Sequence, residues 1–112
     1  MREKDKLNLI SILEALDKIQ KFTEVLDNAD DFYNDKRNFD ASVMNFVVIG
    51  EMVSRLSKEF KREYNYIDWS KIKDFRNIIA HDYFGIDAEE VWQIIKNDLP
   101  GLKKEIKKII NP

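Results

Sequence analysis

The apolar residues of this chain recur at steps of three and four from one end to the other. Almost nothing interrupts them, since 112 residues contain only three glycines and two prolines. That spacing is the period of an α-helix with one buried face, and no strand-period alternation of note competes with it. Residues 4 to 27 place Leu9, Ile12, Leu13, Leu16, Ile19, Val25 and Leu26 on such a face. The acidic stretch "DNADDFYND" (27 to 35) predicts a turn with room for one extra short helix. A second helix is expected from about Asn38 to Lys61, and its middle, "VMNFVVIGEMV", is apolar nearly all round. A helix apolar on two faces wants two partners, so one face would serve the core and the other a second subunit.

"YNYIDWSKI" reads as a connection, with Asp68 or Ser70 available to cap a third helix whose core stripe is Ile72, Phe75 and Ile79. Gly85 marks its exit, and Asp87 with Glu90 three residues on has the spacing of a capping box. The last helix carries Val91, Ile95, Leu99, Leu102, Ile106 and Ile109, with Pro100 and Gly101 predicting a kink rather than a stop. The expected fold is all-α, an up-and-down four-helix bundle forming one domain over residues 1–112.

Net charge is −2 and the isoelectric point is near 5.5, so a nucleic-acid site would have to be a local basic patch on an acidic body. The absence of cysteine excludes disulfides and thiolate chemistry, and a single histidine argues against a zinc site. No cofactor is expected. "MREKDKLNLI" lacks the uncharged apolar core of a signal peptide, and no apolar run reaches membrane-spanning length, so a cytoplasmic location is expected.

The one histidine lies in "RNIIAHDYFG" (76 to 85), five residues after Arg76 and two before Tyr83. On a continuous helix Arg76 and His81 would lie roughly 140° apart, and Tyr83 about 20° from Arg76. An imidazole can take a proton and return it near neutrality, and a guanidinium is a planar fork suited to phosphate. Together they fit metal-free phosphodiester cleavage, in which the histidine assists a ribose 2′-hydroxyl and the arginine holds the developing charge. The structural alternative is a surface arginine and a histidine at a helix C-terminus.

Glu51 projects into an apolar face of the second helix and needs a partner. Arg55, one turn on, is the local answer; orienting Arg76 or meeting a group at an interface is the other. Lys96, Lys103, Lys104, Lys107 and Lys108 give the last helix a basic face that suits its dipole and solubility, or alternatively tracks phosphates. The aromatics Tyr64, Tyr66, Trp69, Phe84 and Trp92 around the motif suit helical junctions, with base stacking as the second reading.

These segments resemble a known family. "RNIIAHDY" matches the R-x4-H-x-Y signature of the HepT-like branch of the HEPN superfamily, including the polar Asn77 after the arginine. "VIGEMVSRLS" resembles the second-helix segment of that branch, and "IDWSKIKDFRNIIAHDYFGIDAEEVWQIIKNDLPGLKKEI" is similar to its C-terminal half almost throughout. The resemblance implies a helical bundle of HEPN type that forms a homodimer, with arginine–histidine pairs converging at the interface. It implies a metal-independent endoribonuclease acting on RNA, the toxin of a type VII-like toxin–antitoxin pair. Its partner would be a minimal nucleotidyltransferase antitoxin that transfers AMP onto the motif tyrosine. By position, Arg76 and His81 would be catalytic, Tyr83 the modified residue, Asn77 supporting and Glu51 a helper. A rival reading is a non-catalytic HEPN subunit that partners a nucleotidyltransferase.

Overall fold

A computed structural model describes residues 1–77 and 87–112, and every regular element among them is helical. The first, α1 (Glu3–Thr23), opens with Glu3 and Asp5, whose charges suit the positive end of the helix dipole. It stops four residues short of the span expected from periodicity. At its end the Thr23 hydroxyl donates to the Ile19 carbonyl at 2.8 Å, and Val25, beyond the helix, is 75% exposed rather than part of the core. The acidic stretch does hold a short helix, α2 (Ala29–Asn34), whose Asn28 side chain accepts from the Asp31 amide.

Helix α3 (Lys36–Arg55) is capped by Asp35, which accepts from the Asn38 amide at 3.2 Å. The expected helix to Lys61 is in fact two. Leu56 is extended, and α4 (Lys58–Glu63) begins afresh behind Ser57, whose hydroxyl accepts from the Phe60 amide. The break has a distant cause. The buried carboxylate of Asp5 accepts from the Ser57 amide at 2.8 Å and from its hydroxyl at 2.7 Å, pinning the corner to the start of α1. The first turn of α1 thus lies beside the last turn of α3, so these two long helices run antiparallel. Leu9, Ile12, Leu16 and Ile19 meet Val43, Phe46, Ile49 and Val53 in the buried core between them.

Asp68, one of the two expected caps, starts α5 (Trp69–Lys73), which continues as a 3-10 turn over Asp74–Arg76. The expected stripe is present in Ile72 and Phe75, both buried, with Phe75 edge-on to Phe46 at 5.2 Å between centroids. Ile79 and Gly85 lie outside the described residues. Helix α6 (Ala88–Gln93) is capped by Asp87 as expected, although the bonds run one way, from the Glu89 and Glu90 amides to its carboxylate. A π turn (Ile94–Asp98) joins it to α7 (Leu99–Ile110), with Pro100 in the first turn. The proline has no N–H to give and crowds the carbonyl four residues back, and the wide turn accommodates both defects. Among the described residues no helix is long and apolar enough to cross a membrane.

Candidate active site

The site is built on a close approach of backbone to backbone. Gly50, buried on α3, faces the end of α5, and a Cβ there would stand 2.7 Å from both the Arg76 amide nitrogen and the Lys73 carbonyl oxygen. No side chain fits that gap, so the glycine lets the 3-10 turn lie directly on α3. The next residue on α3 then reaches Arg76. Its carboxylate, that of Glu51, lies 3.6 Å from an Nη of the guanidinium.

Both side chains keep solvent access, at 38% for Arg76 and 45% for Glu51. A long, half-exposed pair contributes little to stability. Its value is orientation, because the carboxylate engages one edge of the guanidinium and leaves further donors for an anion. Of the two partners considered for Glu51, the ion pair formed is with Arg76, across the helix pair. Asn77 is exposed, its amide 3.5 Å from the Asp74 carboxylate. Asn45 closes on its own helix, donating to the Ala41 carbonyl. His81 and Tyr83 lie outside the described residues, as does Phe84.

The remaining groups divide clearly. Trp69 and Trp92 are buried core residues and Tyr64 is half-buried, whereas Tyr66 is 63% exposed. Among the described residues, three of the five lysines on the last stretch have partners. Lys103 pairs with Asp17 at 2.7 Å, Lys108 with Glu105 at 3.6 Å, and the Lys96 ammonium sits 4.5 Å from the centre of the Trp92 ring. That arrangement favours the solubilising role over phosphate tracking. The structural role of Gly50 is the feature that periodicity did not explain. Its signal is a glycine in mid-helix, where it is unfavourable unless another backbone comes close.

Fold and site define an all-helical protein carrying an oriented arginine at the rim of a helix pair. The chain belongs to the Ribonuclease HepT-like family, whose profile matches residues 12–109. It is 37% identical over 98% of its length to a Methanocaldococcus jannaschii protein named "Gamma-glutamylcyclotransferase and putative RNase", of which it spans 49%. A "Putative RNase" of the same organism is 36% identical over 94% of this chain and 86% of its own length. The "Probable ribonuclease HepT" of Thermococcus cleftensis is 32% identical over 97% of this chain and 98% of its own. No solved structure matches the chain.

Proposed function

We propose that the protein is a metal-independent endoribonuclease, the toxin of a type VII-like toxin–antitoxin pair, with Arg76 and His81 as its catalytic residues. The observation that carries this reading is the Arg76 guanidinium held at an open rim by Glu51. The names of its relatives supply the substrate class. In the proposed reaction the His81 imidazole takes the proton of a ribose 2′-hydroxyl, and the freed oxygen attacks the adjacent phosphorus. The 5′-oxygen leaves and is protonated by a second imidazole, giving a 2′,3′-cyclic phosphate. Arg76 bears the charge that builds on the non-bridging oxygens. Asn77 and Glu51 support the arginine. One chain has one histidine, so a symmetric homodimer supplies the second acid–base group.

Purified protein should cleave RNA in the presence of a chelator, and Arg76→Ala or His81→Ala should each lower the rate ~100-fold or more. Cleavage undiminished in the His81→Ala protein would discard the mechanism.

Control is assigned to Tyr83, through transfer of AMP from ATP by a minimal nucleotidyltransferase antitoxin. The added phosphodiester would pair with Arg76 and fill the space an RNA phosphate needs. Mass spectrometry after co-expression should show an adenylyl adduct that Tyr83→Phe abolishes; an adduct retained by that variant refutes the assignment. The acidic isoelectric point favours one alternative, a non-catalytic subunit that partners a nucleotidyltransferase.

A further inference from the structure

Gly50 is explained by the backbone that lies against it, but Gly101 is not. A Cβ at Gly101 would meet nothing within 4 Å, although the residue sits in an unbroken helical stretch, where glycine weakens the helix relative to alanine. Packing within one chain therefore gives no reason for the missing side chain. What it leaves open is a cavity of about 430 Å³ between α5 with its preceding connection and the start of α7, room for a few side chains. The floor is apolar, made by Ile72 and Phe75 of α5 and by Leu99 and Leu102 of α7. The Tyr66 ring, 63% exposed, forms one wall.

The rim has one sign of charge. Asp98, Gly101 and Glu105 stand at steps of three and four on one helical face, so a carboxylate flanks the glycine on either side. An adjoining cavity shares Asp68, Lys71 and Phe75 with the first and adds Asp74 and Glu90. Among the described residues the two cavities are thus lined by five carboxylates and one cation, Lys71. That lysine pairs with Asp98 at 3.4 Å, and Glu105 pairs with Lys108 at 3.6 Å. Both bridges are solvent-exposed and monodentate, the kind that costs little to exchange for another cation. A phosphate backbone would be repelled here, whereas an apolar side chain flanked by cationic ones matches both the floor and the rim.

We propose that this groove docks a basic segment of a partner protein, with an apolar side chain seated over Gly101 and arginine or lysine side chains on Asp98 and Glu105.

The test is a polarisation titration of the full chain with three short labelled peptides, one of arginine and leucine, one of arginine and serine, and one of glutamate and leucine. The arginine–leucine peptide should bind tightest, and added salt should weaken it. Gly101→Leu fills the space and should weaken that binding about tenfold or more, without lowering the melting temperature, since leucine is a good helix former and its Cβ has room. Asp98→Asn with Glu105→Gln should weaken it about tenfold and flatten its salt dependence. Asp27→Asn with Asp30→Asn removes the same charge from residues that line neither cavity, and should leave binding unchanged. Unchanged affinity in Gly101→Leu, an equal loss in the Asp27/Asp30 control, equal binding of the arginine–serine peptide, or no peptide binding at all would overturn the groove. Binding of a labelled single-stranded RNA that Gly101→Leu removes would assign the groove to nucleic acid and overturn it as well. None of these readouts involves cleavage, so the groove and the ribonuclease reading stand or fall separately.

Discussion

At the scale of single residues, the position of Arg76 is decided by a residue with no side chain. Gly50→Ala would press a methyl group onto two backbone atoms at 2.7 Å, and neither can swing aside as a flexible side chain could. The expected loss is ~1–3 kcal/mol of stability by urea denaturation, with a fall in cleavage because the turn bearing Arg76 must retreat. Gly101 is the matched control, since a Cβ there meets nothing within 4 Å and the residue sits in α7. Gly101→Ala should therefore raise stability, by about 0.5–1 kcal/mol. A stable, fully active Gly50→Ala protein would contradict the close approach. The sequence made Arg76 and Glu51 visible as polar groups on otherwise apolar stretches. It did not say which cation Glu51 would meet, because Arg55 is the neighbour along the helix and Arg76 a neighbour only after folding.

Among the elements, periodicity was a sound guide wherever one face was buried along the whole length. The buried residues of α1, α3 and α7 lie where the three- and four-residue steps put them. The breaks were harder to see. Nothing in the run from Val53 to Phe60 loses its apolar phase, yet the helix stops at Arg55. The reason is a carboxylate 52 residues away in sequence, whose bonds to Ser57 replace those of a continuing helix. Such long-range capping leaves only a weak local trace, a serine that could as well sit mid-helix. Val25 misled for the opposite reason, as it keeps the phase of α1 after the helix has ended. Pro100 did announce a disturbance, and its form, a wide π turn over Ile94–Asp98, depends on packing that no local rule contains.

For the molecule as a whole, the outer face of α3 keeps apolar side chains open among the described residues. Met44 is 58% exposed, Val47 and Val48 are half-buried, and the same face carries Glu51 beside Arg76. A homodimer seam across this face would cover the apolar residues and bring two copies of the site together. Sedimentation equilibrium at micromolar concentration should give twice the 13.3 kDa chain mass, and Met44→Lys should shift the protein toward monomer while reducing cleavage. A wild-type monomer at that concentration would remove the composite site, and a Met44→Lys dimer of full activity would place the seam elsewhere. The wide turn at Ile94–Asp98 acts on the same scale. Ahead of it, α6 leans on α2, where Trp92 meets Phe32; behind it, α7 lies along α1, where Lys103 meets Asp17. A turn holding more than the usual 3.6 residues shifts the azimuth of everything downstream. It therefore works as a swivel in a single rod, by which one stretch of chain can clasp the first helix and the helix that follows it.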